Sequence, residues 1–201
     1  MAGTPQTSAR RARRMEHRRG LVLDAAAAEF AEAGYERATL ERIGDRVGLS
    51  KASVYYYVPD GKLQLLVELV ARVVDEVEAR LSSLAVDESG PLEQLRAFIA
   101  LHIEAANSTP EGRLLAENLD VLLSSDSGTE LRHRYERLLT GIVEDGAAAG
   151  QLRDLPRRPV VKLILAALRS VQLWHDPDGS LSLEDVIDVA LTLFLTGLEE
   201  R

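Results

Sequence analysis

The sequence predicts an all-α protein of about nine helices, a short three-helix unit followed by a larger helical bundle. Three observations carry this. From residue 13 onward Ala, Leu, Glu and Arg dominate and alternating β-branched runs are scarce. Apolar residues recur at three- and four-residue spacing in segment after segment. Between those segments stand Gly, Pro, Ser, Thr and Asp, at the positions where helices stop and start.

The front unit reads in order. Residues 1–12 are Gly, Thr, Pro, Ser, Gln and Arg with little apolar content, and are expected to form a disordered basic arm. A first helix is expected over 13–33, because Val22, Leu23, Ala26, Phe30 and Ala33 share a face and Gly34 follows as a stop. Thr39 is placed as the N-cap of a second helix over 40–47, with Glu41 in its first turn to suit the helix dipole. Gly48 ends that helix, and Ser50 caps a third that runs to residue 57. Val58-Pro59-Asp60-Gly61 then breaks the chain.

The bundle follows. A long helix is expected over 61–84, with Leu65, Leu66, Leu69, Val70, Val73 and Val77 along it. Gly90-Pro91 opens the next, to residue 107, with Pro91 at the first helical position. Thr109-Pro110-Glu111 starts another, and Asp126-Ser127-Gly128 is expected to separate a further pair. Gly150 ends one helix, and Pro156 and Pro159 bracket the next start. Residues 160–174 are apolar nearly all round, as in a helix buried on more than one side. A turn at 175–179 leads to Ser182 and Asp185, spaced as a capping box, and to a last helix carrying Val186, Ile187, Val189, Leu193 and Phe194. Two such helices at the end of a closed bundle are candidates for a homodimer seam, spanning about 157–174 and 182–199.

Composition excludes several classes. The chain of 201 residues has no cysteine, so a disulfide scaffold, a thiolate metal site and a cysteine nucleophile are all ruled out. No apolar run is long enough to cross a bilayer, and the Arg-rich start does not lead into a signal-peptide core. The expected compartment is therefore the cytoplasm. None of the four histidines is paired at metal-ligand spacing, there is no Gly-x-Ser-x-Gly and no phosphate-cradling glycine loop. No cofactor and no enzymatic activity are expected. Charge is unevenly spread. Residues 1–62 hold 11 Lys and Arg against 8 Asp and Glu, while residues 63–201 hold 13 against 24. A basic front on an acidic body suits a chain that meets a polyanion at one end, although a basic tail on an ordinary acidic domain reads the same way.

Residues 39–57 read as a helix-turn-helix. Gly48 supplies the left-handed corner, and Leu40, Ile43, Val47, Leu49 and Val54 form a small core that sets the interhelical angle. The third helix then presents Lys51, Ser53, Tyr55 and Tyr56. These types suit phosphate and base-edge contacts from a helix lying in the major groove. The Ser50 hydroxyl stands at the helix N-terminus, where a phosphate is favoured, and Lys62 follows just past the next turn. Tyr57 and Val54 are assigned to packing. Residue chemistry alone leaves a DNA-contacting helix and a plain packing helix as alternatives.

The stretch 22–66, about a fifth of the chain, resembles the DNA-binding domain of TetR-family regulators. The matching residues are Val22-Leu23-Asp24-Ala25-Ala26, Phe30-Ala31-Glu32, Gly34-Tyr35, Ala38-Thr39, Ile43, Gly48-Leu49-Ser50-Lys51, Tyr55-Tyr56 and Lys62. The resemblance implies a sequence-specific DNA-binding transcriptional repressor with DNA contacts from Thr39, Ser50, Lys51, Ser53, Tyr55, Tyr56 and Lys62. There are departures: Gly44 for the usual alanine, Glu29 where an apolar residue is preferred, Val58 for phenylalanine, and a loop before Lys62 one residue longer. The implied organisation is a basic arm (1–12), a DNA-binding domain (13–60), and a ligand-binding and dimerisation domain (61–201). Arg10, Arg11, Arg13, Arg14, Arg18 and Arg19 stand as further DNA contacts or as a solvated tail.

Regulators of this kind dimerise on duplex operator DNA and are released by a small-molecule effector that favours a non-matching dimer form. Pocket candidates are Phe98, His102, Asn118, His133, Tyr135 and Trp174, the polar or aromatic residues of the apolar middle helices. Residues 174–182 and 193–198 resemble the C-terminal end of a TetR subgroup that includes acyl-CoA-responsive regulators. That resemblance implies a hydrophobic or acyl-CoA-type effector.

Overall fold

The computed structural model describes residues 5–86 and 90–198. They form ten helices: α1 (Pro5–Ala33), α2 (Leu40–Arg46), α3 (Lys51–Tyr57), α4 (Lys62–Val86), α5 (Pro91–Ser108), α6 (Pro110–Glu117), α7 (Leu119–Leu123), α8 (Asp126–Ala148), α9 (Arg157–Trp174) and α10 (Leu183–Leu198). The fold is all-α, as the periodicity predicts.

Three expectations need correction. Residues 5–12, expected to be disordered, are the first turns of α1; residues 1–4 lie outside the described residues. Arginine and alanine are good helix formers, and Pro5 sits where a missing N–H costs nothing. The segment 126–128, expected to lie between helices, is instead the first turn of α8, capped by Ser125, whose Oγ accepts from the Gly128 N–H at 3.0 Å. The stretch after Thr109 is two helices rather than one. Asn118 stands between α6 and α7, and its Nδ2 donates to the Leu114 carbonyl at 2.9 Å. A side chain that satisfies a helix-end carbonyl stops the helix there. The capping box at the start of α10 forms as its spacing suggests. Asp185 N–H donates to Ser182 Oγ and Ser182 N–H to Asp185 Oδ2, both at 3.1 Å.

The chain divides into two compact units, Met1–Val70 and Ala71–Arg201, and the division falls inside α4, beyond the boundary expected at residue 60. The reason is packing: Leu65, Leu66 and Leu69 of α4 are fully buried in the core of the first unit. They join Val22, Ala26, Phe30, Ile43, Val54 and Val58 there. Each Val, Leu, Ile or Phe among them contributes roughly 1.5–3 kcal/mol of apolar burial.

In the second unit α5 is the central element, packed by α6, α8, α9 and α10. Leu95, Phe98, Ile99 and Ile103 of α5 meet Leu139 of α8 and Ile164 and Leu168 of α9 in one continuous core. The α9 helix is buried on one face only within the chain. Val161, Ile164, Leu168 and Val171 point inward, while Leu163, Leu173 and Trp174 are 68%, 86% and 54% exposed. On α10, Val186, Ile187 and Leu195 are buried and Val189 and Leu193 are open. Among the described residues no helix is long and apolar enough to cross a membrane.

Candidate functional site

The first unit positions α3 through its turn. Thr39 has extended backbone and its Oγ1 accepts from Arg42 N–H at 3.3 Å, which starts α2. Gly48 takes φ +67°, and the Leu49 N–H returns to the Gly44 carbonyl at 2.9 Å. The turn is so close that a Cβ on Gly44 would stand 2.4 Å from the Leu49 carbonyl oxygen, which accounts for glycine in place of the family's alanine. Ser50 then caps α3. Its Oγ accepts from Ser53 N–H at 3.2 Å and lies 2.9 Å from Ser53 Oγ.

Val54, wholly buried, pins α3 from inside, so the helix turns its other face out. Tyr55 and Tyr56 are 44% and 61% exposed, and Tyr57, half-buried, meets Tyr56 edge-on at 5.4 Å. Exposed neighbouring phenols on a well-anchored helix combine an apolar ring with a hydroxyl donor, the pair of properties that base edges and phosphates use. Lys51 is exposed and bridges to Glu41 at 2.7 Å. Hydrogen bonding to Lys51 holds the Glu41 carboxyl below its ordinary pKa, and the same bond raises the lysine's.

Thr39, Ser50, Lys51, Ser53, Tyr55 and Tyr56 are thus all carried by α2, α3 and their caps. Lys62 lies apart from these, at the start of α4. Its ammonium donates to the carbonyls of Tyr35, Glu36 and Ala38 at 2.6, 3.1 and 3.2 Å and lies 4.3 Å from the centre of the Tyr35 ring. With three donors and three carbonyl partners, it is occupied in joining the start of α4 to the loop after α1.

What sequence reasoning missed is the use of Glu29. It is 1% exposed. Arg46 donates to Glu29 Oε2 from Nε at 3.0 Å and Nη2 at 2.9 Å, and Nη2 reaches Glu32 Oε2 at 2.6 Å. Arg42 Nε approaches Glu29 Oε1 to 2.8 Å, a charge contact that lacks hydrogen-bond alignment, so Oε1 keeps no hydrogen-bond partner. Glu32 is held below its ordinary pKa by the Arg46 hydrogen bond and charge. Two arginines four apart on α2, facing an acid at an apolar position of α1, were the available signal.

In the second unit Phe98, His102 and Tyr135 form one cluster. Ring centres lie 5.2 Å apart for Phe98–Tyr135, 5.7 Å for His102–Tyr135 and 6.2 Å for Phe98–His102. His102 Nδ1 and Tyr135 Oη are hydrogen-bonded at 2.9 Å. Burial lowers the His102 pKa to about 4 and raises that of Tyr135, so both are neutral at physiological pH. The other pocket candidates lie elsewhere. Asn118 is buried but spent on the Leu114 carbonyl, His133 is exposed on α8, and Trp174 is exposed at the end of α9. Helical spacing alone does not tell the inner face of α8 from its outer face.

A well-anchored helix-turn-helix in front of an all-α bundle defines a DNA-binding regulator. Residues 22–69 match the family described as bacterial regulatory proteins, tetR family, and residues 88–198 match the tetracyclin repressor-like C-terminal domain. The chain belongs to the TetR family. It is 27% identical over 189 residues to the HTH-type transcriptional repressor KstR2 of Mycobacterium tuberculosis, covering 92% of this chain and 94% of that one. The KstR2 of Rhodococcus jostii is 24% identical over 90% of this chain and 91% of its own length. Among solved structures, the ketosteroid transcriptional regulator KstR2 of M. tuberculosis superposes with a TM-score of 0.69 at 25% identity, covering 92% and 96% of the two chains. AibR in complex with isovaleryl coenzyme A and operator DNA has the same fold, with a TM-score of 0.71 at 22% identity over 89% and 98%. By its family the chain is a DNA-binding transcriptional regulator rather than an enzyme.

Proposed function

We propose that this repressor reads its operator with α3, through Tyr55 and Tyr56 with Lys51 and Ser53, and that Thr39 and Ser50 hold the flanking phosphates. The observation that carries the reading is the exposure of Tyr55 and Tyr56 on a helix whose inner face is pinned by fully buried Val54. Selection from random duplexes followed by footprinting tests it. The expected operator has two half-sites about one helical turn (~34–36 Å) apart or a multiple of it. An unselected, sequence-independent pool would overturn the reading.

The second copy sits on α9 and α10. Leu163, Leu173, Trp174, Val189 and Leu193 are large apolar side chains left open by the single chain. Several large apolar side chains left open on two helices suit a protein-contact surface. The effector is a hydrophobic acyl-CoA-type ligand that enters the second unit beside Phe98, His102 and Tyr135, where a neutral imidazole–phenol pair offers hydrogen bonds in an apolar setting. Thermal-shift measurements with acyl-CoA thioesters of graded length test this; no stabilisation at any length would overturn it. The site of action is the cytoplasm, where operator and thioester are both found.

A further inference from the structure

The cations of the reading head already have partners within the chain. Arg42 and Arg46 face Glu29, Lys51 faces Glu41, Arg19 faces Glu68 at 2.5 Å, and Lys62 is held by three carbonyls. Arg37 donates to the Ala33 carbonyl at 2.8 Å. Every one of these cations must give up or share an intramolecular partner to meet a phosphate, and phosphate neutralisation supplies much of the affinity of a DNA-binding protein.

The exceptions lie together. Arg10, Arg13 and Arg14 are exposed and Arg18 is half-buried, and among the described residues none has an acidic partner. Their spacing puts Arg10, Arg13, Arg14 and His17 on one face of α1 and Arg18 at its margin, with Arg19 turned the other way to Glu68. Glu16 is the single acid between Pro5 and Gly20. No residue described in that stretch is fully buried; the core begins at Val22. Like charges three and four apart repel, and a helix without an apolar face has little to hold it. A line of anions beside the stripe removes the first cost and supplies the second.

We propose that the arginine stripe Arg10–Arg13–Arg14–Arg18 on the N-terminal turns of α1 is a phosphate-binding surface for duplex DNA, and that it carries most of the salt-dependent affinity of this repressor. It rests on the DNA-binding reading above, and assigns a different task to a different element. Selectivity stays with α3; the stripe holds any duplex, whatever its sequence.

The test uses the full chain, with a random-sequence duplex and the selected operator as probes, titrated between about 50 and 200 mM salt. The variant replaces Arg10, Arg13, Arg14 and Arg18 by Gln, which keeps helix propensity and removes charge. The expected result is a plot of log affinity against log salt that is shallower by ~0.9 for each phosphate no longer neutralised, up to about 3–4 per subunit. Operator and random duplex should weaken by the same factor, with helix content by circular dichroism unchanged. An unchanged slope overturns the proposal, and so does a loss of operator preference at constant slope. Tyr56→Ala separates the two readings: it should abolish operator preference and leave the slope intact. If Tyr56→Ala keeps its preference, the assignment of reading to α3 fails while the stripe is still judged on its slope.

Discussion

Glu29 and Arg46 are joined by two hydrogen bonds, 2.9 and 3.0 Å long, to the same carboxylate oxygen of a side chain that is 1% exposed. This pairing locks α2 to α1, and because α3 hangs from α2 through the Gly44–Leu49 turn, it also sets where α3 points. A buried charge is stable only while it is paired, so the two ends of the bridge are not equivalent. Arg46→Met, which strands the carboxylate, should lower the melting temperature clearly. Glu29→Leu, which fills the site with the apolar type usual in the family, should stay within about 1 kcal/mol of the parent or exceed it. Chemical denaturation of the three proteins compares them directly; equal losses would overturn the unequal roles given to the two ends of the bridge.

Lys62 joins the start of α4 to three carbonyls of the loop after α1, and its replacement should show in stability. Lys62→Met leaves the carbonyls of Tyr35, Glu36 and Ala38 short of a donor and should cost about 1–3 kcal/mol of stability. If the three carbonyls keep this ammonium when DNA binds, the salt dependence of DNA binding should not move. A shallower slope in Lys62→Met would return this residue to the DNA surface.

His102 gives the stability a pH dependence of known sign. Its folded pKa, depressed to about 4 by burial, lies below the unfolded value of 6.5. The unfolded chain therefore binds a proton that the folded chain refuses, and stability is full above pH 6.5 and falls as pH drops toward 4. The side chain keeps some solvent contact, so the loss is placed at about 1–2 kcal/mol, less than the full shift would give. His102→Gln should flatten the difference between urea midpoints at pH 7.5 and pH 5. If the difference persists undiminished, the carboxylates rather than His102 govern it.

The open faces of α9 and α10 predict oligomeric behaviour. Leu163→Glu with Leu193→Glu places charges on positions that are 68% and 70% exposed in the single chain, so folding should be unaffected. In a dimer the same positions lose their water, and the charges should drive the protein to monomer by light scattering. Operator affinity should fall with it, since two half-sites then have no common scaffold. A double variant that remains dimeric places the seam elsewhere.

Much of the molecule was legible from the order of its residues. Caps and breakers act locally, so Thr39, Ser50, Gly48 and the Ser182–Asp185 box declared the ends of α2, α3 and α10 before any contact was known. The apolar stripes of α1 and α4 named their own buried faces, because a 3.6-residue period allows one inward side. Tyr55 and Tyr56 were legible as a surface because Val54, at the neighbouring position, had to be inside.

Partner choice was decided only by the tertiary structure. Lys62 and Lys51 look alike in the sequence, yet one is held by three carbonyls and the other faces solvent beside Glu41. Glu29 looked misplaced until Arg42 and Arg46 were seen opposite it. His102 and His133 are both histidines on middle helices; one pairs with Tyr135 in the core and the other lies outside. The physical reason is the same throughout. Helix type, cap and face depend on neighbours within a turn or two. The partner of a charge depends on residues from other elements, at distances in sequence over which local pattern has no say.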